Sequence, residues 1–417
     1  MGAKDQIAAV WARAACGLAR ARSGWHIPAP VAYAAVSLLL LTPCFWQPRL
    51  EGGDLSSHIY NSWMAGMIES GRTLGSAMVH QWTNVLFDLM MSGLFQILGA
   101  EAAQRISISI VVLTFVWGAF AFVSVVAGRR PWHLMPSIAM LAYGWVFHMG
   151  FFNFYFSLGL SFWAMALAWE WKPRTMAVAG GLFVLAYLAH PLPVVWMFGL
   201  LVYMCLARGR QPFSRACLTA GFVMALLFLH AAIGHWTIAR WSPVQIAMAT
   251  GLDQVWVFDG KYYLVLMGLL IAWGLLFLAL IHNSGVRQVV AGIPFQLFLL
   301  SAAGVSILPG TVMIPGLYHA LGFIAERMSL GVAVFVCALL GTVRPRRPVR
   351  WALLAVAIVF FGFLYSDERV LNGFEDRMQN LVAHAPSQPT GGLGANDAPS
   401  ALGSRVRAAA RAVRAVR

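Results

Sequence analysis

Long apolar stretches recur along the chain, and they constrain its fold more than any other feature. Stretches of roughly 17 to 22 apolar residues match the roughly 20 that an α-helix needs to cross a hydrocarbon core of about 30 Å. Only 11% of the 417 residues are charged and 60% are hydrophobic, whereas about a quarter of a soluble domain is charged. The sequence therefore predicts an all-α, polytopic integral membrane protein whose solvent is the lipid bilayer.

We predict about eleven transmembrane helices in a domain covering 30–366. The first follows a basic N-terminal segment, 1–29, and ends in TPCFWQP without a small-residue cleavage site, which is typical of an uncleaved signal anchor. The predicted spans lie near 31–46, 106–127, 134–149, 154–171, 175–189, 193–206, 216–236, 262–281, 289–308, 327–343 and 351–366.

The basic residues predict the orientation of these spans. With a cytoplasmic N-terminus, 16 Lys and Arg residues lie in cytoplasmic segments and six in the outer loops, which is the positive-inside pattern. If 84–98 also crossed the membrane, every later basic loop would move to the outer side and the bias would be reversed. We therefore place 84–98 as an interfacial helix in a long outer loop, 47–105, with Asp88, Ser92 and Gln96 as a polar stripe facing protein or water. The predicted location is a bacterial inner or plasma membrane.

Charge and cysteine spacing exclude other classes of protein. The net charge is +14, but the basic residues form short clusters between apolar runs, which argues against a nucleic-acid partner. Five cysteines without a CxxC pair indicate neither a metal knuckle nor a disulfide framework. Residues 367–417 begin with a possible short amphipathic helix and then become Pro-, Ser- and Gly-rich, which predicts a disordered non-cytoplasmic tail suited to anionic lipid.

The segment EGGDLSSHIYNSW, directly after the anchor, carries the first candidate site. Asp54 and His58 lie four residues apart, and so on one face of a helix predicted near 55–70. An acid and an imidazole converging at a membrane surface can serve as base, phosphate partner or metal ligands. The alternative has equal weight: Asp54 is also a good N-cap, and His58 can be an interfacial polar residue.

Residues 30–175 resemble the N-terminal module of GT-C glycosyltransferases. The resemblance rests on the anchor, the outer loop opening with Gly-Asp, the interfacial helix, and FQILGAEAAQRISISIVVLTFVWGAFAFVSVVAGRRPW. It implies a polytopic enzyme that transfers a sugar from a polyprenyl-phosphate donor with inversion, on the outer face. It also implies that Asp54 is the first-loop acid, acting as base or metal-associated residue, and that Arg105 is the substrate-binding arginine opening the next span.

The sequence also departs from the family pattern. Members usually carry an acid in the second outer loop, where this chain reads FHMGFFNFY and offers His148 and Asn153. This argues against a divalent metal and leaves the cofactor open. A proline pair common before the second interfacial helix is replaced by residues 80–84.

Other candidates fall on the outer side of the predicted topology. His148 is a substrate-binding candidate, although its position at a span end favours an interfacial or buried, hydrogen-bonded histidine over a ligand. His190 precedes Pro191, whose helix break requires protein partners or a water-filled cavity. Glu326 and Arg327 at the start of an apolar span favour a structural ion pair, although Arg327 also suits a lipid-linked phosphate. The remaining outer-side polar residues are Asp253 and Asp259, placed with aromatic anchors, and His319.

Two other functional classes fit the composition. A secondary transporter or lipid flippase is expected to show an internal repeat and helices broken in mid-span, and neither is present in the sequence. A non-catalytic membrane scaffold would use its outer polar residues only to cap helices. The transferase hypothesis requires Asp54, His190 and Arg327 to face one outer cavity, whereas a transporter requires a central pore. Donor sugar, acceptor and oligomeric state do not follow from the sequence.

Overall fold

The computed structural model describes residues 29–72, 81–316 and 320–384. These ranges are predominantly helical, which confirms the all-α prediction. The predicted basic N-terminus up to residue 28 and the predicted tail after residue 384 lie outside the described residues. The helices are α1 Ala29–Leu41, α2 Leu55–Glu69, α3 Leu86–Leu98, α4 Ala100–Ala127, α5 Met135–Ala142, α6 Trp145–His148, α7 Phe152–Ala168, α8 Pro173–Ala189, α9 Pro191–Ala207, α10 Pro212–Trp236, α11 Tyr262–Ser284, α12 Val286–Val290, α13 Ile293–Ile307, α14 Ile324–Leu340 and α15 Arg347–Ala383.

One small antiparallel sheet interrupts the helical architecture. Its strands are β1 Ile238–Arg240, β2 Thr311–Met313 and β3 Ala320–Leu321, in the order β1-β2-β3. Arg240 pairs with Thr311, and Val312 pairs with Leu321. The sequence analysis missed this sheet because strands of two or three residues are too short to show an alternating pattern.

Several helices have the length and composition of membrane spans. Within the described ranges, four are long and apolar enough to cross a bilayer: Ala100–Ala127, Pro212–Trp236, Tyr262–Ser284 and Arg347–Leu381. Six further apolar helices have between 10 and 17 residues. A membrane-associated helical protein is therefore supported, whereas the total of eleven spans stays a prediction.

One predicted span is divided into two helices in the structure. The stretch predicted near 134–149 is divided into α5 and α6 at Tyr143 and Gly144. A Cβ on Gly144 would lie 2.6 Å from the carbonyl oxygen of Gln254, and the amide of Val146 donates to Gln254 Oε1 at 3.3 Å. The loop around Gln254 therefore packs into the break. There the Gln254 side chain accepts from the amide of Val146 in place of a helical carbonyl.

Helices α4 and α7 cross at very close range. A Cβ added to Gly118 would lie 2.4 Å from the carbonyl oxygen of Gly159, and one added to Gly159 would lie 2.8 Å from the backbone of Phe115. Small residues at a crossing let two backbones approach, as is common between membrane helices. This contact fixes α7, whose N-terminal residues contribute to the candidate site.

The polar stripe of the outer-loop helix α3 faces α2. Asp88 pairs with His58 at 2.6 Å, and the Ser92 hydroxyl donates to Ser62 Oγ at 3.1 Å. Farther along, Gln96 donates to Glu69 at 3.2 Å. The opposite side of α3 carries Phe87 and Met91, which are fully buried. The predicted helix at 84–98 and its division into polar and apolar faces are therefore confirmed.

The predicted boundary between span and tail at 366/367 falls inside the continuous helix α15. Directly beyond it, Glu368 accepts a 2.5 Å hydrogen bond from the indole of Trp46, and Asn372 Oδ1 accepts from the amide of Arg49 at 2.8 Å. Asp367 pairs with Lys261. The amphipathic helix predicted at the start of 367–417 is thus helical and continuous with the preceding apolar helix, and its residues up to 372 contact the first outer loop.

The chain divides into two units between Asn372 and Gly373. The described part of the second unit is the end of α15, up to His384. There the guanidinium of Arg377 lies 5.1 Å from the centre of the Phe374 ring.

Candidate active site

The Gly-Gly-Asp turn holds Asp54 against the residues that end α6. The amide of Gly53 donates to the carbonyl of His148 at 2.7 Å, and the amide of Asp54 donates to that of Met149 at 3.2 Å. Asp54 occupies the N-cap position of α2, but its side chain makes no capping hydrogen bond. The N-cap interpretation of this side chain is therefore wrong, and the carboxylate instead lines a cavity.

The small cavity, of 110 Å³, collects polar side chains from five separate segments of the chain. They come from the start of α2, the residues before α3, the start of α7, the α8–α9 junction and the first turn of α14. These polar residues are Asp54, His58, Asn84, Asn153, His190 and Arg327. Asp54, His190 and Arg327 thus face one cavity, as the transferase hypothesis requires.

Arg327 provides the positive charge of the small cavity. Its guanidinium lies over the Phe151 ring, 3.8 Å from the centroid, a geometry that holds the planar group in place. The carboxylates that interact electrostatically with the Arg327 guanidinium are those of Asp54 and Glu326. Arg327 Nε and Glu326 Oε2 are both buried without a hydrogen-bond partner in the described part of the chain. These atoms do not form the expected structural ion pair, and Arg327 faces the cavity.

The large cavity, of 890 Å³, adjoins the small one, because Asp54, Phe151 and Arg327 line both. It also reaches Glu326 and Arg240, the last residue of β1. Arg240 therefore adds a second cation to the same space. The sequence analysis missed Arg240 because only the pairing of β1 with β2 brings it near α14.

His190 is a neutral hydrogen-bonding group at the junction of α8 and α9. Burial, together with the positive charge of Arg327, lowers its pKa to about 4. Its Nδ1 accepts from the amide of Leu192 at 3.2 Å, so the neutral ring carries its proton on Nε2. The predicted need for partners at this break is confirmed, since the His190 carbonyl accepts from Ser157 Oγ at 2.7 Å.

His58 and Asn153 are joined through Asp88. His58 Nδ1 lies 2.6 Å from Asp88 Oδ1, and Asn153 Nδ2 donates to Asp88 Oδ2 at 2.6 Å. Asn153 also accepts from the amide of Phe87 at 2.8 Å, which fixes the start of α3. Sequence reasoning placed Asp88 on a polar stripe but did not connect it with His58.

Arg105 lies apart from both cavities. Its guanidinium donates to the carbonyls of Cys44, Gln47 and Pro48 at 2.9, 3.2 and 2.7 Å. These carbonyls follow the end of α1, where helical partners are missing. Arg105 is therefore a structural clamp on the anchor, and the substrate-binding role expected for it is not supported by its position.

His148 also lies outside the two cavities. It is 9% exposed, its Nδ1 is 3.1 Å from the carbonyl oxygen of Glu51, and its Nε2 is 4.0 Å from Glu368 Oε1. Its interpretation as a buried, hydrogen-bonded histidine is confirmed. His148 acts on the site through its backbone, which binds the Gly-Gly-Asp turn.

Asp253 is a buried structural acid rather than a sugar-binding residue. Its Oδ2 accepts from Ser329 Oγ at 2.6 Å and from Gln254 at 3.0 Å, while Oδ1 is buried and has no hydrogen-bond partner among the described residues. Asp259 is exposed and lies 3.5 Å from Lys261. Burial raises the pKa of Asp253 to about 7, and the nearby Glu326 adds to the shift. His319 lies outside the described residues.

The raised pKa of the Asp253 carboxyl predicts that the stability of the protein depends on pH. Because the folded protein retains the Asp253 proton up to about pH 7, while the unfolded chain releases it near its ordinary value, the contribution of this one group to stability declines from about pH 4 to 7 and then levels. One pKa unit is worth about 1.4 kcal/mol, so we expect a loss of about 2 to 3 kcal/mol between pH 5 and 8. Asp253→Asn should remove that part of the decline in apparent Tm, while Asp259→Asn should retain it. Equal declines in wild type and Asp253→Asn would contradict the assignment.

No family model matches the chain, and no curated protein or solved structure matches it significantly. The described residues contain no group of three or more His, Cys, Asp or Glu side chains placed to hold a metal ion.

Proposed function

We propose that the protein is a membrane glycosyltransferase that takes a sugar from a polyprenyl-phosphate donor on the non-cytoplasmic face. The main support is the small cavity, where the Asp54 carboxylate, neutral His190 and the Arg327 guanidinium meet. The GT-C resemblance of residues 30–175 supplies the reaction class. A scaffold protein would use Asp54 to cap α2, and the Asp54 side chain makes no such bond.

The two arginines support a phosphate-bearing donor. Arg327 and Arg240 line the large cavity from different elements, α14 and β1. A guanidinium offers a fixed fork of donors to phosphate oxygens. Trp241 and Phe323 line the same cavity, and aromatic faces of this kind commonly pack against sugar rings. The cavity thus has groups for both the phosphate and the sugar.

An apolar groove next to the large cavity supports a lipid-linked donor. This groove, of 460 Å³, lies among α9, α10 and α13 and is lined by apolar side chains. Thr311 and Ala320 line the large cavity, whereas their neighbours Val312 and Leu321 line the groove, because successive side chains of a strand point to opposite faces. The sheet therefore separates a polar space from an apolar one, as a polar head group with an isoprenoid tail requires.

The proposed reaction uses three side chains in separate roles. Asp54 accepts the proton of an acceptor hydroxyl, whose oxygen attacks the anomeric carbon. The bond between that carbon and the phosphate oxygen breaks, and the electron pair goes to the phosphate. Arg327 stabilises the developing negative charge, and the His190 Nε2–H supplies a neutral donor. Attack opposite the leaving group inverts the anomeric centre.

The proposal includes the orientation inferred from the basic residues. The N-terminus is cytoplasmic, about eleven helices span a bacterial inner or plasma membrane, and α2 and α3 lie in the outer interface. This orientation places both cavities on the non-cytoplasmic side. Donor and acceptor then meet outside the cytoplasm, where lipid-linked sugars presented in the outer leaflet are accessible.

Donor binding tests the proposal through Arg327. Arg327→Ala should weaken the binding of a short-chain polyprenyl-phosphate sugar by about 10- to 100-fold, because a hydrogen bond to a charged group contributes about 1.5 to 3 kcal/mol. Binding and release of polyprenyl phosphate are measured with purified protein in nanodiscs, across a panel of donor sugars.

The control is Arg72→Ala, which removes an exposed outer-loop arginine away from both cavities and should bind like wild type. Thermal unfolding checks that each variant is folded. Wild-type protein that binds and turns over none of the donors would overturn the proposed function. Transport of a donor across the bilayer without cleavage would favour a flippase instead.

A further inference from the structure

The strongest unassigned arrangement in the molecule is the link from His58 through Asp88 to Asn153. The distance of 2.6 Å between His58 Nδ1 and Asp88 Oδ1 is short, as in charge-assisted hydrogen bonds. The other oxygen of Asp88 accepts from Asn153 Nδ2, also at 2.6 Å. Both carboxylate oxygens are thus engaged, and the carboxylate cannot rotate without losing a partner.

Each member of this link is held by its own surroundings. Asn153 is 4% exposed, and its amide nitrogen also donates to the Asn84 carbonyl at 3.1 Å. Since its amide oxygen accepts from a backbone amide, the orientation of the group is determined. Asp88 lies in the first turn of α3, where the helix dipole favours a negative charge.

Two aromatic rings hold the imidazole of His58. The Phe87 ring centroid lies 5.0 Å away in an edge contact, and that of Phe152 lies 6.2 Å away. The two phenylalanine rings stack on each other at 5.0 Å. The imidazole is therefore confined in a pocket whose polar partner, on the Nδ1 side, is Asp88.

We infer that Asp88 is a positioning residue: it keeps the proton of neutral His58 on Nδ1 and thereby makes Nε2 a proton acceptor at the small cavity. A carboxylate accepts only from a protonated nitrogen, so the contact selects this tautomer. His190 has the opposite tautomer, because its Nδ1 accepts from a backbone amide. The small cavity thus receives one histidine as an acceptor and one as a donor.

The catalytic part of this inference rests on the proposed function. The cavity of 110 Å³, which Asp54 and His58 both line, has room for water. The proton that Asp54 takes from the acceptor hydroxyl passes through this water to His58 Nε2, and Asp88 stabilises the resulting imidazolium. Asp54 is thereby returned to its anionic form for the next turnover.

The tautomer is tested without any substrate. Protein with isotope-labelled histidine is reconstituted in lipid at a pH well above the ordinary pKa of imidazole, and its ring nitrogen and carbon shifts are recorded by NMR. The His58 signal is assigned by its loss in His58→Gln. We expect the Nδ1–H form in wild type and its loss in Asp88→Asn. Ser92→Ala, which removes another α2–α3 contact, should leave it unchanged. An Nε2–H form in wild type would overturn the inference.

Turnover tests the catalytic part separately. Asp88→Asn should lower kcat by about 10- to 100-fold with KM unchanged, as expected when the orientation of an acid-base group is lost. Ser92→Ala should match wild type, and Asp88→Glu should recover part of the rate. A normal kcat in Asp88→Asn would overturn the catalytic role. If wild type turns over no donor, the proposed function fails, while the NMR result still decides the tautomer.

Discussion

Asp54→Asn should reduce sugar transfer from a polyprenyl-phosphate donor by about 10² to 10⁴ while leaving the protein folded. Asparagine retains the size and shape of the side chain but cannot accept the proton of an attacking hydroxyl. Because the Asp54 side chain makes no capping bond to α2, its replacement removes no helix-stabilising contact. Donor binding should remain close to wild type, since Arg327 is unchanged.

The measurement is single-turnover release of polyprenyl phosphate by protein in nanodiscs, with the apparent Tm recorded for each variant. Asp259→Asn is the matched control, because it neutralises an exposed acid in another loop. That control should keep the wild-type rate. Full activity in Asp54→Asn would remove the residue from the mechanism, and a marked fall in Tm would restore a structural role for its carboxylate.

Gly150→Ala should have the largest effect on the geometry of the site. Gly150 has φ of +78°, a conformation that side chains rarely adopt, and a Cβ there would lie 2.3 Å from the Asp54 amide nitrogen. Either the backbone of Asp54 moves or the turn opens, breaking the bond between Asp54 and Met149. We expect a loss of about 2 to 4 kcal/mol in the free energy of unfolding, from the strained φ and the steric clash.

The variant is tested by thermal unfolding and by turnover. The rate of turnover should fall together with the stability, because Asp54 is displaced. Gly66→Ala serves as control, because Gly66 lies inside α2 and a Cβ there meets nothing within 4 Å. Alanine favours a helix over glycine by about 1 kcal/mol, so the control should be as stable as wild type or more so. Wild-type stability and activity in Gly150→Ala would show that this close approach does not position Asp54.

Local features of the sequence were sufficient for much of the site. Asp54 and His58 were recognised from their spacing after two glycines, and His190 from the prolines that follow it. Arg327 is identified by its place at the start of an apolar stretch, and Asn153 by its place in the second outer loop, where the family pattern has an acid. These signals are local because a helix break or a polar residue at a span end has the same physical consequence in any fold.

Arg105 and His148 show that residue type and position at a span end do not by themselves identify a substrate site. Both have the residue types of a substrate site and lie at the ends of apolar stretches, yet Arg105 holds three carbonyls near the anchor and His148 supports the first outer loop. A guanidinium or an imidazole has the same hydrogen-bonding groups in either role. Its partners are chosen by the packing of helices distant in sequence, and no spacing along the chain records that choice.

Four features can be read from the sequence alone: the helical class, the apolar character of the long helices, the polar and apolar faces of α3, and the break at Pro191. Each of these features follows from the length, the periodicity or the residue types of a short stretch, because such local properties determine secondary structure directly. The tertiary structure alone decided that Asp88 meets His58 and that Arg240 joins Arg327 at one cavity. Such contacts depend on helix crossings and strand pairing between distant segments, where a shift of a few ångströms changes which side chains are within hydrogen-bonding reach.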